Sequence, residues 1–285
     1  MNKEANFNII RLFNINRRTY TLYSVCAAIA ILLIIALCGV FMDDSLYAAN
    51  FAQKNLPPSF NHFFGTDWMG RDMFFRTIKG LSTSMVIGTI ASVVASIMAI
   101  IIGAACALKG KYIESIFNWF VDLFMGVPHL ILLILISVIL GKGLRGVMIG
   151  VILTHWCSLS RIVRAEVLSL KTNFYVQVSR KFGKSSWFII RKHIIPHVVP
   201  SFIVGIILLF PHAIMHEASI TFLGFGLPPE LPAIGVILSE SMRYITSGMW
   251  WLSVFPGLTL LFILILFESI GQNIKTLIDP FKAQE

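Results

Sequence analysis

Charged residues are scarce in this sequence, and their scarcity excludes an ordinary soluble fold. Only 13% of the 285 residues are Asp, Glu, Lys or Arg, about half the share in soluble globular domains, whereas 56% are hydrophobic. Several apolar runs reach the roughly 20 residues that a helix needs to cross a bilayer. The composition therefore predicts an integral membrane protein, and the length leaves no room for a large second domain.

Cysteine is also rare, and its placement excludes two kinds of scaffold. The four cysteines are Cys26, Cys38, Cys106 and Cys157. They form no Cys-x-x-Cys pair, so the sequence predicts neither a zinc knuckle nor a disulfide framework. All four lie in or at the ends of apolar runs, which predicts buried thiols that act as small apolar side chains.

A nucleotide-binding loop is missing as well. The nearest match is Gly183-Lys184-Ser185, but the phosphate-binding pattern G-x-x-x-x-G-K-[ST] requires a glycine where this sequence has Val178. No strand precedes the stretch either. We therefore predict that the chain is not an enzyme and has no cofactor, and that any ATP-driven activity needs a partner subunit.

What the sequence has in abundance is long hydrophobic segments. Six of them predict six transmembrane helices, at about residues 22–42, 81–108, 116–140, 147–168, 198–223 and 250–270. The first is too long for a signal-peptide core and is followed by Asp43 and Asp44, so we interpret it as a retained helix. Pro128 predicts a kink within the third. The predicted fold class is an all-α, polytopic membrane protein.

The distribution of positive charge predicts the orientation. The formal net charge is +9, but the basic residues lie between hydrophobic spans, so we expect a lipid bilayer and not nucleic acid as the partner of this charge. With the N-terminus inside, 16 of the 23 Lys and Arg residues are cytoplasmic. Residues 1–21 and the tail, 273–285, are then cytoplasmic, and the segments 43–80 and 224–249 are external.

The two external segments are unusually long. One interpretation is an outer rim that receives a substrate or a docking partner, and the other is a plain solvated connection. The second segment carries Pro228, Pro229 and Pro232, a density that predicts no regular helix there.

An amphipathic stretch, residues 171–196, lies between the fourth and fifth predicted spans. Apolar side chains recur there at roughly helical spacing, at Val178, Phe182, Trp187, Ile190 and Ile194. Gly183 interrupts the pattern, which predicts two short helices joined by a bend. Such a pair is suited either to lie along the membrane surface or to insert into a groove of a cytoplasmic partner.

Ionisable side chains inside a bilayer are costly and suggest function. His212 and His216 are spaced i, i+4, which puts both imidazoles on one helical face, where they can bind a first-row transition metal. Glu217 points about 100° away from His216. The alternative is that these groups lie near the outer end of the span and bond to loops or water. His129 and His155 are interpreted as core or interface residues.

The same histidines do not indicate a protease. The metalloprotease pattern His-Glu-x-x-His places the glutamate directly after the first histidine, whereas Glu217 follows the second one. The sequence also contains no Gly-x-Ser-x-Gly turn for a nucleophilic serine. Both absences argue against an intramembrane enzyme.

Three motifs together resemble one family, the C-type permease subunits of the dipeptide, oligopeptide and nickel group of binding-protein-dependent ABC importers. The group's GTDxxGRD pattern is matched by Gly65, Thr66, Asp67, Gly70, Arg71 and Asp72. Residues 171–196 are similar to the family's cytoplasmic EAA loop, and residues 221–226 to its SFLGLG pattern. The closing Leu277-Ile278-Asp279-Pro280 also fits, so the resemblance covers about residues 60–281.

The resemblance implies a type I ABC importer permease fold, with residues 81–272 as a transmembrane domain of five helices. It implies that residues 171–196 couple to an ATPase. The coupling residues that it implies are Gln177, Phe182, Gly183, Trp187, Ile190 and Pro196. One departure concerns the Glu-Ala-Ala triplet, which is Gln177-Val178-Ser179 here, so no salt bridge to the ATPase is carried over from that position.

The resemblance further implies partners, location and cargo. The partners are a second homologous permease, two cytoplasmic ATPase subunits and an external solute-binding protein, in the cytoplasmic (inner) membrane of a prokaryote. The cargo is nickel or another metal, free or chelated, or a di- or oligopeptide. Independently of the resemblance, the intramembrane groups His212, His216 and Glu217 are our candidates for residues that line its path, with His212 and His216 as candidate metal ligands. The alternative is a stand-alone six-helix channel or secondary transporter with no ATPase.

Overall fold

The computed structural model describes residues 17–109 and 111–278, and these ranges are predominantly helical. Their α-helices are α1 (Arg17–Phe41), α2 (Met73–Lys109), α3 (Lys111–Gly126), α4 (His129–Ile139), α5 (Leu144–Thr172), α6 (Phe174–Lys181), α7 (Ser186–Ile189), α8 (Ile195–Phe222), α9 (Ile234–Met242) and α10 (Trp251–Ile278). A π-helical turn, Ile190–Ile194, joins α7 to α8 without a break. The prediction of an all-α fold is confirmed.

Five continuous helical stretches in the described residues are long and apolar enough to cross a membrane. They are Arg18–Phe41, Met73–Leu108, Leu144–Thr172, Trp187–Phe222 and Trp251–Leu277. The pair α3 and α4 makes a sixth span if it counts as one. The kink expected at Pro128 is a break between two helices with a 97° bend. Proline supplies no N–H to the helix and disfavours helical backbone in the residue before it, which is Val127.

The helix α2 begins at Met73, earlier than the predicted start at residue 81. The cause is Asp72, whose Oδ1 accepts a hydrogen bond from the backbone N–H of Phe74 at 2.9 Å. This satisfies one of the free N–H groups of the first turn, so the helix forms before the hydrophobic run starts.

The centre of the fold is α2, which packs against α1, α5 and α8. At the crossing with α5, a Cβ on Gly103 would lie 2.6 Å from the carbonyl oxygen of Ser160, so only glycine permits this approach. One core cluster extends from α2 and α5 to Val176 of α6 and Ile189 of α7. The short helices α6 and α7 are therefore anchored to the spans by burial of apolar side chains.

Three other expectations are corrected or only partly covered. The proline-rich stretch, residues 228–232, lacks a helix as predicted. The rest of the same external segment does contain one, because α9 begins at Ile234, two residues after Pro232. Cys106 and Cys157 are buried as predicted, whereas Cys26 and Cys38 are exposed on α1. Of the predicted cytoplasmic ends, residues 1–16 and 279–285, with Asp279-Pro280, lie outside the described residues.

Candidate functional site

A cavity of about 590 Å³ lies where the broken pair α3–α4 meets α5 and α8. Its polar lining comes from four imidazoles and two hydroxyls: His129, His155, His212, His216, Thr154 and Ser158. His129 is the first residue of α4, immediately after the break. The break thus places an ionisable side chain and an interrupted backbone at the cavity, an arrangement typical of binding sites in transporters.

Three of the four histidines form a compact cluster, the three-histidine cluster. The ring centroids of His129 and His216 are 4.3 Å apart, those of His129 and His155 4.8 Å, and those of His155 and His216 5.1 Å. One potential ligand atom from each ring lies within 4.8 Å of the other two. Each ring comes from a different helix, so the cluster depends on the packing of α4, α5 and α8 together.

The hydrogen bonds of His155 fix the role of each ring nitrogen. Its Nδ1 lies 2.8 Å from the carbonyl oxygen of Val151. A carbonyl only accepts, so Nδ1 carries the proton, and in the neutral ring Nε2 holds a free lone pair. A backbone carbonyl that orients a histidine in this way is the usual second partner of a metal-binding imidazole.

The other two rings are only weakly engaged by protein groups. Among the described residues, the buried Nδ1 of His216 has no hydrogen-bond partner. His129 Nε2 contacts Thr154 Oγ1 only at 3.5 Å, while that hydroxyl lies 2.9 Å from the carbonyl oxygen of Gly150 and donates its proton there. An unpartnered buried polar atom costs about 1–3 kcal/mol, so the cluster has capacity for a ligand.

The three residues predicted to line the path lie in three different environments in the structure. His216 belongs to the cluster, whereas His212 is exposed, lines the same cavity and lies outside the group of three. Glu217 is fully buried on another face of α8, where its Oε1 accepts a hydrogen bond from Thr221 Oγ1 at 3.1 Å. His155 is buried as predicted for a core residue, but it and His129 face His216.

Helix periodicity reveals neighbours on one helix only, which is why it paired His212 with His216. The partners that the structure supplies are remote in sequence. Two features of the sequence could have indicated these partners: His129 follows a proline that interrupts an apolar segment, and His155 lies inside a predicted span.

The GTDxxGRD residues form a tight turn before α2, here called the motif turn (residues 65–72). Asp67 is 0% exposed, and its Oδ1 accepts hydrogen bonds from the backbone N–H groups of Met69 and Arg71 at 2.8 and 3.0 Å. Its Oδ2 lies 2.6 Å from Arg71 Nε and 3.2 Å from Arg76 Nη1. Arg76 is 2% exposed and reaches Glu240 of α9 at 2.5 Å.

The remaining motif residues complete the same turn. Thr66 donates its hydroxyl to the carbonyl of Gln53 at 2.5 Å, and Asp72 pairs with His62 at 2.7 Å. Gly65 and Gly70 have φ of +71° and +75°, and a Cβ on Gly70 would lie 1.7 Å from a backbone oxygen. The family resemblance pointed to this motif, and the structure pairs its polar groups with one another and with Gln53, His62 and Glu240.

The helices α6 and α7 form the predicted amphipathic helix pair, joined at Gly183 with φ of +72°. Phe182 and Trp187 flank the bend and are 79% and 67% exposed. Ile190 is half-buried against the core cluster that holds Val176 and Ile194. The apolar positions of the pair therefore divide into an anchored face and a free aromatic face.

Polar contacts stiffen the helix pair. Ser179 Oγ of α6 lies 3.1 Å from His193 Nε2 of the π-helical turn that follows α7, so this contact joins the two sides of the bend. Gln177 is exposed and donates to the carbonyl of Thr172 at 2.8 Å, so its amide caps the end of α5 within the chain. Pro196 is the second residue of α8 and directly follows the π-helical turn, where the helix already departs from the regular α-helical hydrogen-bond pattern.

The fold defines a class: a polytopic helical membrane protein with a histidine-lined cavity between its helices and a short helix pair between two spans. Residues 99–282 match the family described as binding-protein-dependent transport system inner membrane component. The chain belongs to this family, and it is an ABC importer permease subunit of the inner membrane.

Curated relatives agree with the family. The chain is 34% identical over 250 residues to the dipeptide transport system permease protein DppC of Bacillus subtilis, covering 87% of this chain and 78% of that protein. It is 32% identical over 252 residues to the oligopeptide transport system permease protein OppC of the same organism, covering 88% of this chain and 82% of that protein.

A solved structure supports the fold. The inward-facing MetNI methionine ABC transporter gives a TM-score of 0.54 at 17% identity, covering 71% of this chain and 97% of that chain. The predicted type I importer fold is confirmed at this level.

Proposed function

We propose that this chain forms half of the translocation pathway for short peptides in an ATP-driven importer. The observation that carries the proposal is the likeness, across 87% and 88% of the chain, to permeases named for dipeptide and oligopeptide transport. The cavity between α4, α5 and α8 is the part of the chain best placed to line such a pathway.

Coupling to an ATPase is assigned to the amphipathic helix pair. Two exposed aromatic side chains beside a rigid bend suit insertion into a groove of a partner. The pair continues through Ile190–Ile194 into α8, which carries His216. A force on Trp187 would therefore be transmitted along one continuous helix to a wall of the cavity, as a rigid-body movement.

The orientation and the assembly belong to the same proposal. With both termini inside, the helix pair and its cluster of lysines and arginines face the cytoplasm, as the positive-inside rule requires. A second homologous permease would supply the other half of the pathway, two ATPase subunits would contact the helix pairs, and an external binding protein would deliver cargo. Family membership argues against the alternative of a stand-alone channel or secondary transporter.

Metal cargo, nickel included, is the second candidate. The named relatives are peptide permeases, so this candidate is favoured only by the three-histidine cluster.

The proposal is tested by co-purification and uptake. Trp187→Asp and Gly183→Asp should abolish both retention of an ATPase subunit and ATP-dependent uptake of a labelled dipeptide into proteoliposomes. Phe60→Asp is the matched control, because Phe60 is an exposed aromatic residue far from the helix pair in sequence. ATPase retention that is equal in all three variants would contradict the assigned coupling, and dipeptide uptake without ATP would contradict the importer.

A further inference from the structure

We propose that His129, His155 and His216 bind a divalent transition-metal ion, which passes through the cavity as cargo, alone or held by a small chelator. The inference deepens the proposed function and rests on it only in taking the cavity as part of the pathway. The evidence is the proximity of three ligand atoms, within 4.8 Å of one another, supplied by three separate helices.

The state of the nitrogens distinguishes this cluster from ordinary packing of aromatic rings. His155 commits Nδ1 to the carbonyl of Val151, which directs the lone pair of Nε2 away from that bond. The buried Nδ1 of His216 has no partner among the described residues. Packing alone would favour apolar rings here, since a buried nitrogen without a partner is destabilising.

The donor set selects the class of ion. Neutral imidazole suits nickel, cobalt, copper and zinc, whereas magnesium and calcium prefer oxygen ligands. The carboxylate of Glu217 hydrogen-bonds within the protein and is not among the three ligand groups. A site of three neutral ligands adds no negative charge of its own, so the ion can leave more readily than from a thiolate or carboxylate site.

Three protein ligands also leave coordination positions open. Water, or the amine and carbonyl groups of a peptide-like chelator, can fill those positions, as in metal sites that exchange their ligands. The cavity volume of about 590 Å³ has room for such a chelator beside the ion.

The first measurement is nickel binding to the full chain, purified from membranes with the subunits it retains and placed in lipid nanodiscs. His155→Asn is the informative variant, because the Asn amide can replace Nδ1 as donor to Val151 while Nε2 is lost. We expect a fall in Ni²⁺ affinity of about 100-fold, since even outer partners of a metal site are worth 10–100-fold. His129→Gln should act similarly, from another helix.

A control variant makes the result specific. His197→Gln removes an exposed histidine from the same helix as His216, outside the cavity lining. It should leave the Ni²⁺ affinity within about two-fold, and excess Mg²⁺ should not compete. Thermal unfolding of every variant would establish that it is folded. Unchanged nickel affinity in folded His155→Asn and His129→Gln, or no nickel binding by the native chain, would overturn the proposal.

Uptake then tests whether the ion is cargo. Proteoliposomes with the complete importer would receive Ni²⁺ alone, Ni²⁺ chelated by a tripeptide, or a metal-free dipeptide. Uptake of either nickel form that falls at least ten-fold in His155→Asn supports the inference, and the form taken up identifies the source. Dipeptide uptake with no uptake of either nickel form would overturn the cargo role. If the native importer binds nickel but takes up no dipeptide, the result would instead contradict the proposed peptide transport.

Discussion

The motif turn and the three-histidine cluster both gather polar side chains from distant parts of the chain, but they leave those side chains in opposite states. In the motif turn, Asp67 accepts four hydrogen bonds and Arg76 bridges it to Glu240. In the cluster, the rings contact one another while a nitrogen of His216 has no described partner. One site is complete without a ligand, and the other is not.

This difference separates a structural motif from a candidate binding site. Buried charges that are fully paired within the protein hold elements together, and opening them costs much free energy. Polar groups that face a cavity and lack partners are available to a ligand. The motif that is most recognisable in the sequence therefore serves to join the start of α2 to α9, and the less recognisable histidines are the ones for which we propose a role in binding cargo.

The largest expected effect comes from removing Arg76, the buried arginine that joins the motif turn to α9. Arg76→Met would remove the more buried of the two arginines that contact both Asp67 and Glu240, leaving only Arg71 between these carboxylates. We expect it to destabilise the protein by about 3–5 kcal/mol. Thermal unfolding in detergent would measure the loss. The control is Arg243→Met at an exposed arginine of the same region. A loss for Arg76→Met no larger than the control's would show that the network is dispensable.

A second large effect is expected at Gly70, where the turn needs both a left-handed backbone and the absence of a side chain. Gly141 has nearly the same φ, +77° against +75°, but has open space around it. Gly141→Ala should cost only the backbone strain, about 1–2 kcal/mol, and Gly70→Ala clearly more, because its Cβ would clash with Asn50. Equal losses of unfolding temperature would mean that the turn relaxes around the added methyl group.

A smaller effect, of opposite sign, is expected in the cluster. His216→Leu removes a buried nitrogen without a described partner, so we expect stability to stay the same or rise by about 1 kcal/mol, as at other sites kept for function. Nickel binding should be lost in the same variant. A fall in stability comparable to that of Arg76→Met would instead show that His216 stabilises the fold.

The smallest effect concerns a pair at the protein surface beyond the motif turn. Burial, and the hydrogen bond to Asp44 at 2.5 Å, raise the pKa of Tyr47 to about 12. Because the folded state favours the neutral phenol, this contribution to stability is complete below pH 10 and is lost as the pH rises through about 12. Asp44→Asn should lower the pKa of Tyr47 towards 10, leaving the part caused by burial.

Ultraviolet absorbance titration would follow that phenol, with Tyr47→Phe subtracted to remove the other tyrosines. A pKa for Tyr47 that does not change in Asp44→Asn would show that burial alone raises it. The carboxylate of Asp44 would then make no contribution to the raised pKa of Tyr47, whereas the contacts of the motif turn are between charged groups.

Much of the architecture was predictable from sequence because hydrophobic length is a local property. The spans follow from runs of apolar residues, and the bend at Gly183 follows from a break in periodicity. The 97° bend at Pro128 was predicted only as a kink, since its size depends on how α4 packs against α5. The start of α2 was misplaced because it depends on the Asp72 cap.

The candidate site was less predictable, for a physical reason. Periodicity relates residues within one helix, so it paired His212 with His216 and could not bring in His129 and His155 from other helices. The same limit applies to the motif turn, where the pairing of Arg76 with Glu240 spans 164 positions in the chain. Contacts of this kind are set by tertiary packing.

The central claim is that the three-histidine cluster binds cargo and the motif turn does not. X-ray absorption at the nickel edge, on the native chain loaded with Ni²⁺ in nanodiscs, tests it most directly. The account predicts scattering from three imidazole rings, falling to two in His155→Asn and unchanged in His197→Gln. A nickel site with oxygen ligands alone, or an imidazole count that His155→Asn does not reduce, would contradict it.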